Sequence, residues 1–379
     1  MAGIYIHIPY CRKVCYYCDF HFTASFRDVD PVISAIIREL EERKHYLKGE
    51  KIDTIYFGGG TPSAVDFVNI KTILEKIYGE FTIAENPEIT LEANPDDLHP
   101  SYFKNIKSVG INRLSIGVQS FIERDLKWMN RRHSAEKSVD SVKFAYDNGF
   151  SNINIDLIYG ILGMSNEEWK YNLNKFFELE IPHLSAYHLT IEPKTVFGVQ
   201  KKKGKLTEIE EEASVTQFEI LLEETAKRGY QHYEISNFAK EGYFSKHNLG
   251  YWKNHLYLGA GPSAHSFDGT SRRWNTKLHK VYIEKAGTGA GYFEEEVLTK
   301  EEQFNDYILT NLRTMWGINL NTIKLKFGES YALETTKTAD KYREYLDFGP
   351  NIIKLNNKGK FIADRIASEF FTDVNDESE

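Results

Sequence analysis

Cys11, Cys15 and Cys18 are the three cysteines of the 379-residue chain, and all fall within one stretch, "YIHIPYCRKVCYYCDF" (Tyr5–Phe20). An odd number does not suit a closed disulfide framework, and a tight cluster in a reducing compartment points to metal binding or catalysis. Three thiolates can fill three irons of a [4Fe–4S] cube and leave the fourth open to another ligand. The rival assignments are three independent thiols, or a zinc site completed by His7, His21 or Asp19. Zinc sites usually pair their ligands over a longer span, as in two Cys-x₂-Cys units, and no second pair exists here. Further polar residues recur where an apolar strand would be expected to end: Gly59-Gly60-Thr61 in "FGGGTPS", Glu92 in "LEANP", Gln119 in "SIGVQSF" and Asp156 in "NIDLIYG". A carboxylate among strand apolars is costly to bury without a partner.

The elements that would position these residues alternate. β-rich runs at Ile4–Ile8, Asp53–Phe57, Glu88–Glu92, Arg113–Val118, Asn152–Tyr159 and Leu184–Ile191 are separated by segments of helical spacing. The clearest of these is Pro31–Leu47, with proline in its first turn. Two others end at Gly79 and Gly149, which read as helix stops. Strand–helix alternation predicts an α/β fold with parallel strands: a partial six-unit (β/α) barrel, or a doubly wound sheet. Both place ligands at the C-terminal strand ends, where the unusual residues lie. The expected organisation is a barrel over 1–200, a connecting region over 201–295, a smaller helical, winged-helix-like domain over 296–372, and an acidic, disordered tail over 373–379. The run "KKKGK" (Lys201–Lys205) reads as a solvated loop, and Asn356–Gly359 as a turn before a last helix.

With 41% hydrophobic residues, 27% charged and a net charge of −8, the composition is that of a globular protein without the basic face needed for nucleic acid or an anionic membrane. No apolar run reaches bilayer length, and "MAGIYIHIPYC" lacks the features of a signal peptide. The chain is therefore expected in the cytoplasm.

The Cys-x₃-Cys-x₂-Cys spacing resembles the radical S-adenosylmethionine (SAM) superfamily. In that superfamily the methionine amino and carboxylate groups chelate the open iron, and reduction of the cluster cleaves the sulfonium to a 5′-deoxyadenosyl radical. The cysteine stretch, "GGGTPS", "EANPDDL", "RLSIGVQSF", "NIDLIYG", "YEISNFA" and "HNLGYW…YLGAGPSAHSF" together resemble the HemW family, often described as oxygen-independent coproporphyrinogen III oxidase-like. The likeness runs from about Ile4 to Phe371 and is most specific over the first 270 residues. It implies a [4Fe–4S] cluster on Cys11, Cys15 and Cys18. SAM would lie against Tyr5 and Gly59-Gly60-Thr61, with Glu92, Gln119, Arg131, Asp156 and Thr190 completing its polar shell. Haem would bind near His247, the first residue of H-N-x-x-Y-W. The implied function is a haem chaperone that delivers haem to acceptors such as respiratory haem proteins, with homodimers and membrane association through partners as further implications.

Two departures set the chain apart from the decarboxylating oxidase, the alternative function. The oxidase continues its motif to a fourth cysteine where this chain has Phe20. The oxidase also carries an extension before its first strand; Tyr5 stands almost at the start here, which predicts that the extension is missing. A third departure is from HemW itself: the family's "GLPGQ" is "GILGMS" at Gly160–Ser165.

Overall fold

The computed structural model describes residues 1–372; the acidic tail expected over 373–379 lies outside them. Six strands run parallel in chain order: β1 (Ala2–Ile8), β2 (Ile52–Gly59), β3 (Ile83–Ala93), β4 (Arg113–Gln119), β5 (Ile153–Tyr159) and β6 (His183–His188). Sequential order excludes the doubly wound alternative, in which the strand order reverses. The sheet is a partial barrel, because β1 and β6 do not pair. β1 instead takes β9 (Leu256–Ala260) on its outer edge, and β6 takes β8 (Asn237–Ala239), which pairs with β7 (Gln231–Glu234). β10 (His265–Phe267), β11 (Ser271–Asn275) and β12 (Phe293–Val297) extend the β9 edge.

The crossovers are α1 (Val29–Glu42), α2 (Phe67–Glu80), α3 (Pro100–Ser108), α4 (Glu123–Trp128), α5 (Ala135–Asp147) and α6 (Asn166–Glu178). Pro31 does lie in the first turn of α1, but that helix stops at Glu42. Gly79 does not stop α2, which runs through it to Glu80. Gly149, at φ +77°, does follow the end of α5, because only a positive φ turns the chain off the helix axis. Lys201 and Lys202 close α7 (Val196–Lys202), while Lys203–Lys205 are exposed turn; α8 (Glu211–Lys227) follows.

The barrel strands alternate over most of their length, with Ile158 near the end of β5 an apolar exception. Ile4, Ile6 and Ile8 of β1, Ile55 and Phe57 of β2, Ile89 and Leu91 of β3, and Leu114 and Ile116 of β4 are buried in the main core. The intervening residues are polar or aromatic: Tyr5 and His7, Thr54 and Tyr56, Glu88, Thr90 and Glu92, Arg113 and Ser115, Asn154 and Asp156, His183 and Ser185. A closed (β/α)₈ barrel fills its interior with branched apolar side chains. Here the outer face supplies the apolar burial and the inner face is left to polar groups.

α9 (Lys246–Trp252) and α10 (His279–Lys285) lie between the added strands. A second hydrophobic core, including Phe304, Ile308, Ile323, Ile353 and Ile366, gathers α11 (Lys300–Leu312), α12 (Leu320–Lys326), α13 (Glu329–Lys341), α14 (Asn357–Phe361) and α15 (Ala363–Ser368). They surround a small sheet of β13 (Ile318–Asn319), β14 (Leu346–Gly349) and β15 (Ile352–Leu355), with β15 central. The turn expected at Asn356–Gly359 is the start of α14, whose N-terminus Asn356 caps by accepting from Gly359 N–H.

Candidate functional site

The cysteine loop leaves the C-terminal end of β1 and is tied to the end of β2 by backbone bonds, Gly60 N–H to Ile8 C=O at 2.9 Å and Thr61 N–H to Tyr10 C=O at 2.8 Å. This close approach is why the turn needs glycines. A Cβ on Gly59, which sits at φ +107°, would lie 2.6 Å from the His7 ring, and one on Gly60 would lie 2.7 Å from Tyr10 N. The turn thus braces the loop, and it sets Thr61 Oγ1 3.4 Å from Cys11 Sγ.

Beneath the loop the barrel interior opens as a cavity of about 520 Å³. Ten of the residues expected around the cofactor and cluster line it, together with Thr190: Cys11, Cys15, Cys18, Gly59, Gly60, Thr61, Glu92, Gln119, Arg131 and Asp156. Thr190 lies two residues past β6, which ends at His188 rather than Ile191. Tyr5 is not brought to the wall. Its ring packs beside both Tyr56 and His247, with centroids 6.1 and 6.4 Å away, and its hydroxyl meets His7 Nδ1 at 3.2 Å.

The charged groups in the cavity have neutral partners. Glu92 accepts from the Tyr56 hydroxyl at 2.8 Å, and burial pushes its carboxyl up to about 7 against that bond. Asp156 accepts from Asn154 Nδ2 at 2.8 Å and is pushed up to about 6, again by burial. Arg131 donates to Gly117 C=O at 2.6 Å, to Asn94 Oδ1 and toward Cys15 Sγ at 3.3 Å, while its Nε is buried with no partner. Gln119 sits at φ +69°, where the β4–β5 register slips, so its side chain is turned into the cavity by a local break in the strand. Buried carboxyls and an incompletely bonded guanidinium around an open volume are donors and acceptors for hydroxyl, amino and carboxylate groups of a polar ligand.

Burial raises the free thiols of Cys11 and Cys18 to about 11 and about 12, whereas a coordinating thiol is deprotonated outright. Among the described residues no three His, Cys, Asp or Glu side chains converge to hold a single ion. The three thiols share one loop at the cavity rim, and in a cube each thiolate would take a different iron. Phe20 is 75% exposed and lines the cavity.

Several site residues escaped the sequence reading. Asn94 links Arg131 to Thr61 Oγ1 (3.2 Å), and Tyr56 holds Glu92. Asn154 joins Asp156, Ser115, Ser185 and His183 in one network, with distances of 2.6 to 3.1 Å. Their signal was the inward phase of the strand alternation, which marks these positions as surely as it marks Glu92. The "GILGMS" loop is well held: Gly160 and Gly163 take φ +73° and +80°, and the buried Gln217 accepts from Gly160 N–H (2.8 Å) and donates to Met164 C=O (3.1 Å).

His247 lies elsewhere, at the N-terminal side of the barrel, 3% exposed. Its Nδ1 is 2.8 Å from Thr54 Oγ1 and its Nε2 2.8 Å from the Tyr251 hydroxyl; Tyr56 stacks on the ring at 5.0 Å. Burial pushes its pKa down to about 3, so the imidazole is neutral. A second cavity, of about 320 Å³, lies beside it, lined by Gly3, Thr54, Tyr251, His255 and Tyr257 among others.

Residues 5–175 match the sequence model of the Radical SAM superfamily. The chain is 34% identical over 374 residues to Heme chaperone HemW of Lactococcus lactis subsp. lactis (strain IL1403), covering 97% of each. The chain belongs to the HemW family. HemW proteins of Bacillus subtilis (strain 168) and Escherichia coli (strain K12) are 35% and 38% identical over 87% and 69% of this chain and 88% and 69% of theirs. The solved structure of coproporphyrinogen III oxidase (HemN) of Escherichia coli, a radical SAM enzyme, superposes with a TM-score of 0.85 at 22% identity, over 98% of this chain and 90% of that one. That likeness shows the fold. The HemW motif H-N-x-x-Y-W divides its work along α9: His247 and Tyr251 face the second cavity, Asn248 lines the first, and Trp252 lies under the Arg313 guanidinium at 5.5 Å. No helix among the described residues is long and apolar enough to cross a membrane.

Proposed function

We propose that this protein binds haem and passes it to acceptor haem proteins, on a scaffold that holds a [4Fe–4S] cluster and SAM. The observation that carries the scaffold half is the set of three thiols at the rim of a polar chamber whose buried carboxyls have only neutral partners. The haem half is supported by relatives that are named haem chaperones over nearly the whole chain.

Cys11, Cys15 and Cys18 would each take one iron, and Glu92, Gln119, Arg131 and Asp156 would hold SAM, with Thr190 at the edge. When bound, the cluster supplies low-potential electrons and an open iron. Arg131 orients the loop through Cys15 and Asn94; Tyr56 orients Glu92; and the GGGT turn fixes the distance between loop and chamber. His247 is the candidate axial ligand to haem iron, reached through the second cavity.

The test is to load the protein anaerobically with iron and sulfide, titrate haem, and offer it to an apo haem protein. The expected result is four irons and one haem per chain, a cluster spectrum perturbed by SAM, and transfer of haem to the acceptor. Haem that neither binds nor leaves, together with decarboxylation of coproporphyrinogen under reducing conditions, would replace this reading with the oxidase.

A further inference from the structure

Both ring nitrogens of His247 are engaged, but their partners differ in what lies behind them. A neutral imidazole ligates metal through a nitrogen that carries neither a proton nor another partner. On the Nδ1 side, Thr54 is fixed in β2, and Gly3 of β1 packs so close that a Cβ there would lie 2.8 Å from Thr54 Oγ1 and 3.2 Å from the ring. Gly3 and Thr54 also line the cavity, but with the β1 backbone packed this closely on the ring there is no room at Nδ1 for a metal. On the Nε2 side, Tyr251 sits one turn further along α9 and forms part of the wall of the 320 Å³ cavity, its ring edge against Tyr257 at 4.7 Å. His247 lines the same cavity, and the Tyr251 hydroxyl is the partner that occupies Nε2 there. Lys246 and Lys253 also line it, and ammonium groups there suit a ligand with carboxylates at its edge.

We propose that the Tyr251 hydroxyl is a gate on Nε2 of His247, which selects a metal-bearing porphyrin over a metal-free one. This rests on the proposed haem site. The hydroxyl's hydrogen bond to Nε2 breaks and a metal–nitrogen bond forms; the phenol keeps its proton and no electron is transferred. A free-base porphyrin or porphyrinogen offers no bond to replace the one lost, so the gate stays shut. Tyr251 is a positioning residue in this scheme, since it acts through His247.

The experiment titrates cluster-loaded protein with haemin and, separately, with metal-free protoporphyrin IX, reading the Soret band and iron ligation. The variants are Tyr251→Phe, Thr54→Val and His247→Ala, each checked for folding by thermal melting. Tyr251→Phe keeps the ring packing and should bind haemin about two- to tenfold tighter, as expected for release of one hydrogen bond, with the same histidine-ligated spectrum. Thr54→Val should not tighten binding, His247→Ala should lose the spectrum, and metal-free porphyrin should bind weakly to the wild type. If His247→Ala loses the spectrum while Tyr251→Phe binds no tighter, or Thr54→Val tightens as much, the gate is wrong and the haem site stands. If His247→Ala binds haemin as the wild type does, the site and the gate both fall. Equal binding of haemin and metal-free porphyrin by the wild type overturns the selectivity.

Discussion

The two cavities share β2 and β3 but are built in opposite ways. The chamber under the cysteine loop keeps its polar groups unspent: Glu92, Asp156 and Arg131 meet neutral partners, and one guanidinium nitrogen meets none. The pocket beside His247 has its key side chain fully bonded, with Thr54 and Tyr251 on its two nitrogens. A chamber whose carboxyls rest on neutral partners and whose guanidinium has an unbonded nitrogen keeps capacity for a polar ligand. A pocket with satisfied groups is stable empty and must break a bond to bind. The difference separates a site for a resident cofactor from a site for cargo that must arrive and leave.

The largest effect should come from removing the brace between the two parts of the chamber. Arg131→Leu strips the bonds to Asn94, Gly117 C=O and Cys15, leaves buried acceptors bare, and should cost roughly 2–4 kcal/mol by chemical denaturation. No loss would mean that the chamber is held by other contacts. A smaller effect tests the unspent carboxyls directly. The folded pKa of Glu92 is about 7 against an ordinary 4.5, so the carboxyl favours the fold while protonated. The unliganded protein should therefore lose stability as pH rises from about 4.5 to about 7, with no further loss from this group above that. Glu92→Gln should remove this slope and raise the melting temperature by roughly 2–5 °C at pH 8, with no gain at pH 4.5. A parallel pH profile in the two proteins would show that Glu92 is already compensated. The smallest effect belongs to the closed pocket: Gly3→Ala crowds Thr54 and the His247 ring and should cost about 1–2 kcal/mol.

The sequence made the barrel legible because its alternation has two faces. The Ile and Leu phase locates all six strands, though not their ends: β3 starts at Ile83 and β6 stops at His188, and sequential order separates barrel from doubly wound sheet only through the pairing. Gly149 was readable as a helix stop, but Gly79 was not distinguishable from it, because sequence does not reveal the sign of φ. The cysteine spacing, Glu92 and Asp156 mark the chamber, while nothing in the type or spacing of Asn94, just past β3, or of Tyr56 and Asn154 within their strands sets them apart. Tyr5 was expected on the wall and lies behind it, since one side chain of the inward phase can shield another. The locking of His247 was also out of reach: its partner Thr54 is 193 residues away in the chain.

The separation of the two sites is tested most directly by one pair of measurements on anaerobically loaded protein, iron content and haem stoichiometry, in His247→Ala and in Cys11→Ser/Cys15→Ser/Cys18→Ser. The account predicts that the first keeps its iron and SAM-perturbed spectrum but loses haem, and that the second loses iron but still binds haem. Haem binding that survives in His247→Ala and disappears with the cysteines would contradict it.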